Sequence, residues 1–211
     1  MFPDFTLVKF LITLENYILD IWPLQIVSYI LGIAAVVLAI KRTRFSNRAI
    51  SFILSIYWLW IGIVFCMLYW VKTFNLALMF GIVLIVQGLL FLYTSIKENI
   101  SFSYSGKLQS IIGIVLIFYA MIGYQLIGLF IGHTYPNLFA FGLVPCPTMI
   151  FTLGLLLWTD KKIPKYILII PALFSLVGIE AAVKGIYEDI GLFVLGVLAV
   201  ILIFLRDRKS F

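Results

Sequence analysis

The sequence predicts an all-α integral membrane protein with about seven transmembrane helices. Of its 211 residues, 64% are hydrophobic and only 11% are charged, which lies far outside the range of soluble globular proteins. The chain also contains repeated apolar runs of about 20 residues, the length that a helix needs to cross a bilayer. Because these runs take up nearly the whole chain, we expect a single polytopic membrane domain over residues 1–211.

An amphipathic helix is predicted over residues 1–22, ahead of the first span. Its polar residues recur at steps of three and four and therefore share one helical face: Thr6, Lys9, Thr13, Asn16 and Asp20. The segment lacks the basic start and the small-residue cleavage site of a signal peptide. Such a helix either lies in the outer membrane interface or folds over the mouth of the bundle as a lid, and the pattern favours the interfacial position.

The seven predicted spans follow one another with short connections. They cover about 23–40, 50–71, 75–96, 109–132, 139–158, 166–183 and 189–205.

The basic residues predict the orientation of these spans. Twelve of the fifteen Lys and Arg residues fall after the first, third, fifth and seventh spans, and short loops rich in Lys and Arg stay on the cytoplasmic side. We therefore expect the N-terminus outside, the C-terminus in the cytoplasm and a multi-pass location in a cell inner membrane. These loops account for the net charge of +6, so the lipid bilayer is the expected partner and nucleic acid is not.

The fifth predicted span carries two prolines, Pro145 and Pro147, on either side of Cys146. Proline has no amide hydrogen and clashes with the carbonyl four residues earlier, so these two would free the carbonyls of Phe141 and Leu143. Irregular backbone at membrane depth is tolerated where protein or a water-filled cavity surrounds it, and broken spans often hold the binding site of transporters. The alternative is that the prolines only kink or start a helix and Cys146 packs as a small hydrophobe.

Polar residues predicted at a similar outer depth complete a candidate substrate-binding site. Its members are Cys146, Pro145, Pro147, Thr148, Gln125, His133, Tyr135 and Glu180. An ionisable residue within a span is a functional candidate, although Glu180 could instead pair with Lys184 four positions later. His133 has the alternative of being an ordinary loop histidine.

No catalytic, metal-binding or cofactor-binding residue is predicted, and the sequence favours a protein that is not an enzyme. It has no G-x-x-x-x-G-K phosphate loop, its single histidine excludes an H-E-x-x-H site, and its last span has no lysine that could hold retinal. The two cysteines, Cys66 and Cys146, allow a disulfide, a pair of soft metal ligands or two unrelated packing residues.

Two stretches resemble a family of bacterial multi-pass membrane proteins of unknown function. They are WPLQIVSYILG at 22–32 and HTYPNLFAFGLVPCPTMIFTLGLLL at 133–157. The resemblance implies a bacterial inner-membrane protein of several helices and supplies no site residues.

The function predicted from the sequence is the binding or transport of a small solute at an outward-facing site in the broken fifth span. The main alternative is a non-catalytic scaffold or subunit that works with a protein partner or as a homo-oligomer. A thiol-based membrane enzyme and a metal-handling protein are further alternatives.

Overall fold

The computed structural model describes residues 5–209 and is all-helical apart from loops and one isolated bridge between Phe102 and Thr159 in that part of the chain. The first four residues of the predicted N-terminal helix lie outside the described residues. The helices are α1 (Leu7–Asp20), α2 (Trp22–Lys41), α3 (Ser46–Trp60), α4 (Ala77–Lys97), α5 (Leu108–Phe118), α6 (Tyr124–Phe130), α7 (Pro145–Leu157), α8 (Lys165–Val183) and α9 (Asp189–Lys209).

Helices α3 and α5 continue into segments that are helical but not α-helical. A π-helical segment, Ile61–Tyr69, and one 3-10 turn, Trp70–Lys72, extend α3, and a second π-helical segment, Tyr119–Gly123, joins α5 to α6. Pi-helical turns are rare and often occur at functional sites. Both segments lie at the end of the bundle that holds the candidate site described below.

Six helices in the described part of the chain are long and apolar enough to cross a membrane, with mean hydropathies of 2.1 to 2.4. They are Trp22–Lys41, Ser46–Lys72, Ala77–Lys97, Leu108–Phe130, Lys165–Val183 and Asp189–Arg208. Each coincides with one of the predicted spans. The remaining predicted span, 139–158, contains only the 13-residue helix α7, and residues 139–144 ahead of it are not helical.

Helix α7 forms the centre of the bundle. All of its residues except Cys146 are buried, and it packs against α3, α5, α8 and α9. Its contact with α5 is close because Gly113 meets Gly154, and a Cβ on Gly113 would lie 2.8 Å from the Gly154 carbonyl oxygen. Small residues permit such backbone approach between membrane helices. A helix so enclosed need not face lipid, so it can be short.

Helix α1 has three kinds of surface. Its buried face, which includes Leu14 and Tyr17, packs on the π-helical extension of α3. Val8 and Ile12 are exposed apolar residues on another face. Four members of the predicted polar stripe are exposed, whereas Thr13 is buried and pairs with the Thr73 hydroxyl at 2.8 Å. The stripe therefore holds for the exposed residues, while Thr13 serves as a contact to the bundle.

The loops rich in basic residues gather at one end of the bundle. Arg42 pairs with Asp160 at 2.5 Å, and Arg48 pairs with Glu98 at 2.7 Å. The Arg206 guanidinium donates to the carbonyl oxygen of Thr159 at 3.0 Å. These contacts join the segments that follow α2, α4 and α7 to the first turn of α3 and the last turn of α9.

Candidate functional site

A cavity of about 70 Å³ lies against the start of α7, at the end of the bundle opposite the basic loops. We call it the α7 cavity. Its lining comes from α1 and the residue Phe5 ahead of it, and from the stretch that runs from the 3-10 turn after α3 to the start of α4. Residues 139–146, the second half of α8 and the start of α9 complete the lining. A water molecule needs about 10 to 15 Å³ by a comparable measure. The cavity therefore has room for a few waters or one small molecule.

Seven of the eighteen residues that line the cavity are aromatic, and we call them the aromatic wall. They are Phe5, Phe10, Trp70, Phe74, Phe80, Phe139 and Phe174. The rings pack on one another, with Trp70 stacked on Phe80 at 5.7 Å between centroids and Phe80 edge-on to Phe174 at 5.6 Å. The Lys184 ammonium lies 5.4 Å from the centroid of the Phe5 ring. The wall thus combines a large apolar surface with rings that can attract a cation.

The acidic group of the cavity is Asp189, the first residue of α9. Its side chain is fully buried, and it accepts hydrogen bonds from the Tyr124 hydroxyl at 2.5 Å and the Cys146 thiol at 3.3 Å. Both donors are uncharged. The N-terminus of α9 favours a negative charge there by about 0.3 to 2 kcal/mol. That is less than the several kcal/mol that burying an ion costs, so these contacts do not compensate an ionised Asp189 carboxylate.

The preceding residue, Glu188, is a second fully buried carboxylate. One of its oxygens lies 2.7 Å from Nδ1 of His133, whose side chain is 12% exposed. This oxygen sits against Gly128, where a Cβ would approach it to 2.9 Å. The Tyr119 hydroxyl, in the second π-helical segment, donates to the Glu188 carbonyl oxygen at 2.8 Å. Glu188 and His133 therefore connect the loop after α6 to Asp189, the neighbouring residue that lines the cavity.

The two carbonyls that the prolines leave without a backbone amide partner accept hydrogen bonds from side chains. The Phe141 carbonyl accepts from the Ser28 hydroxyl at 2.7 Å, and the Leu143 carbonyl accepts from the Tyr17 hydroxyl at 2.8 Å. The reason is that a buried carbonyl without a partner costs free energy. Side chains of α1 and α2 supply the donors that the missing proline amides cannot.

The structure brings only part of the predicted site together. Pro145, Cys146 and Glu180 all line the α7 cavity. Pro147 and Thr148 are buried in the first turn of α7, where the Thr148 hydroxyl donates to the Val144 carbonyl oxygen at 2.7 Å.

The other predicted residues surround the cavity without lining it. Gln125 donates to the Phe139 carbonyl oxygen at 3.1 Å and so supports the irregular segment. His133 binds Glu188, one residue from the cavity acid. Tyr135 is 55% exposed on the loop between α6 and α7. None of these positions tests whether the residues bind a substrate.

The residues that sequence reasoning missed are Asp189, Glu188, Tyr124 and the aromatic wall. Asp189 meets its partners across 43 and 65 positions of sequence, and no local pattern predicts such contacts. One signal was present, because two consecutive acids directly precede the last apolar run, and an ionisable residue at membrane depth is a functional candidate.

Both cysteines are free thiols. Cys66 is buried in the π-helical extension of α3, while Cys146 is partly exposed to the cavity. A nucleophilic cysteine needs a positive neighbour that favours its thiolate, and the neighbour of Cys146 is the Asp189 carboxylate. Within residues 5–209, no three His, Cys, Asp or Glu side chains cluster in a way that could hold a metal ion. The acidic neighbour of Cys146 thus does not favour its thiolate.

Over residues 5–209, fold and cavity together define an all-helical protein with six helices of membrane-spanning length and a small cavity beside the shorter helix α7. The chain belongs to a family of unknown function, DUF6064, whose model matches residues 7–210. This match confirms the predicted membership of a family without an assigned function. No match was found among curated proteins or solved structures.

Proposed function

We propose that the protein is an inner-membrane protein with seven spans that binds a small solute in the α7 cavity from the outer side. The observation that carries this proposal is the position of the cavity. Its wall contains Pro145 and Cys146 at the start of the central helix α7, where the predicted fifth span is interrupted, and Asp189 at the start of α9. Broken helices enclosed by protein are the usual location of solute sites in membrane transporters.

The seventh span of this proposal consists of α7 and the non-helical segment ahead of it. The 13 residues of α7 extend about 20 Å, which is shorter than the roughly 30 Å of hydrocarbon. Residues 139–144 are buried and would complete the crossing. The gathering of basic loops at the opposite end supports an orientation in which the cavity faces outward.

Solute binding is supported better than passage through the bundle in this conformation. Beyond Cys146, α7 is enclosed by neighbouring side chains, and Trp58 donates to the Thr152 hydroxyl at 3.2 Å. Passage would need a second conformation in which this packing opens. This packing therefore supports the proposal of solute binding at the outer side over the proposal of an open passage.

The test is chemical access to Cys146 from outside the cell. A variant with Cys66→Ala leaves Cys146 as the only thiol for a small membrane-impermeant methanethiosulfonate. Thr148→Cys, in a chain without the two native cysteines, is the matched negative control because Thr148 is fully buried two residues further along α7. Tyr135→Cys in the same background is the positive control on the exposed loop.

The expected result is modification of Cys146 in intact cells, slower than at Tyr135→Cys and clearly faster than at Thr148→Cys. Modification of Cys146 no faster than at Thr148→Cys would overturn the proposal and favour the scaffold alternative.

A further inference from the structure

We infer that the solute of the α7 cavity is a small organic cation of the alkylammonium class, whose charged group pairs with the Asp189 carboxylate beside the aromatic wall. This inference rests on the function proposed above and specifies the ligand class of the same cavity.

The first argument is the incomplete set of partners around Asp189. Its two donors, Tyr124 and Cys146, are neutral, whereas two carboxylate oxygens offer about four acceptor positions. None of the ion pairs among residues 5–209 includes Asp189. An ionised carboxylate buried without a cation is unfavourable. A cationic solute in the cavity would supply the counter-charge that the two neutral donors do not.

The second argument is the chemistry of the aromatic wall. A cation over an aromatic ring is attracted by the negative ring face, and aromatic cages recognise alkylated ammonium groups in this way. The wall already holds one ammonium group, since Lys184 Nζ lies 5.4 Å from the Phe5 ring centroid. Alkyl groups on the ligand would gain apolar contact with the remaining rings.

The third argument is the charge balance of the lining. Asp189 and Glu180 are acidic and Lys184 is basic, so with both acids ionised the lining carries one net negative charge. The neighbouring Glu188 is a further carboxylate, whose partner is His133 at 2.7 Å. An anion would face this negative charge, and a neutral solute would leave Asp189 without a counter-charge.

Competition between the cation and a proton follows from these contacts. Protonation removes the charge of Asp189, so the cation is expected to bind less tightly as the pH falls. The titratable groups facing or adjoining Asp189 are Glu188 on its own segment, Tyr119, Tyr124, Cys146, Glu180, Lys184 and, through Glu188, His133. A His133→Asn variant shows which group causes the pH dependence of cation binding. If the group is Asp189, the pH dependence should persist without the imidazole.

The experiment measures protection of Cys146, as the single thiol, by three probes of similar shape. Tetramethylammonium is the cation, tert-butanol the neutral analogue and pivalate the anion, each at the same concentration and ionic strength. The rate of modification is compared with and without probe at every pH, so that changes in thiol reactivity cancel.

The expected result is protection by tetramethylammonium alone, weakening as the pH is lowered. Asp189→Asn should reduce its apparent affinity by about thirtyfold or more while leaving Cys146 open to modification, because the partner of a desolvated charge is lost. If that variant does not fold, the three-probe comparison and its pH dependence in the unsubstituted site still decide the question.

Two contrary outcomes differ in meaning. Equal protection by the three probes, or better protection by pivalate, with Cys146 still modified from outside, would overturn the cation inference and leave the proposed solute site intact. A Cys146 that no reagent reaches from outside would overturn the proposed function and the inference with it.

Discussion

The hydroxyl of Tyr17 donates a hydrogen bond to the carbonyl oxygen of Leu143 at 2.8 Å. This hydrogen bond connects α1 to the non-helical segment that precedes α7. The same hydroxyl accepts a hydrogen bond from the Trp60 indole at 2.9 Å, and the Tyr17 side chain is fully buried. Helix α1 therefore helps to fix the non-helical segment that precedes α7.

A Tyr17→Phe substitution should lower the free energy of unfolding by about 1 to 3 kcal/mol, because it leaves the Leu143 carbonyl and the Trp60 N–H without this partner. Denaturation by SDS in mixed micelles measures the change. Tyr69→Phe is the matched control, since the Tyr69 hydroxyl bonds to Asp20 at the exposed surface, and its effect should stay within about 0.5 kcal/mol. Equal effects of the two substitutions would show that the Tyr17 contact does not stabilise the fold.

The pair of His133 and Glu188 gives a second prediction. Removing the imidazole in His133→Ala deprives a fully buried carboxylate of its 2.7 Å partner and should destabilise the protein by about 1 to 3 kcal/mol. His133→Asn keeps a nitrogen donor close to the position of Nδ1 and should recover much of that loss. Thermal unfolding of the three proteins at the same pH compares them, and an Asn variant no better than the Ala variant would contradict the assigned contact.

The orientation of the bundle is tested by two reporters in a cysteine-free chain. Tyr135→Cys lies on the exposed loop after α6, and Lys161→Cys lies among the basic loops at the other end. If basic loops stay cytoplasmic, an impermeant reagent should modify Tyr135→Cys in intact cells and Lys161→Cys only after permeabilisation. The reverse pattern would invert the proposed orientation.

The positions of the long helices could be predicted from the sequence because apolar length is a local property. Six predicted spans coincide with helices of membrane-spanning length. The interruption at Pro145 and Pro147 was also predictable, since proline acts on its own backbone. The count of seven spans and the N-terminus outside stay predictions, because they depend on the membrane position of α7 and of the loops.

The composition of the site could be predicted only in part. Cys146 and Glu180 were candidates because a polar residue in an apolar run is visible in the sequence. The partners of the freed carbonyls, Ser28 and Tyr17, lie 113 and 126 positions away from them. Tertiary packing decides which donor bonds to such a carbonyl. The sequence therefore predicted carbonyls without partners, whereas both accept a hydrogen bond.

The most direct test of the central claim is whether outside access to Cys146 runs through the α7 cavity. Ala181→Phe adds a ring at a lining position, and Leu176→Phe adds one on the same helix at an exposed position that does not line the cavity. Both are made with Cys146 as the only thiol, and the rate of modification by an impermeant methanethiosulfonate is measured in intact cells. Ala181→Phe is predicted to slow it by roughly tenfold or more, because a packed ring leaves no room for the reagent, and Leu176→Phe should leave it unchanged. Equal rates in the two variants would contradict the account, because the reagent would then reach Cys146 by a route other than the cavity.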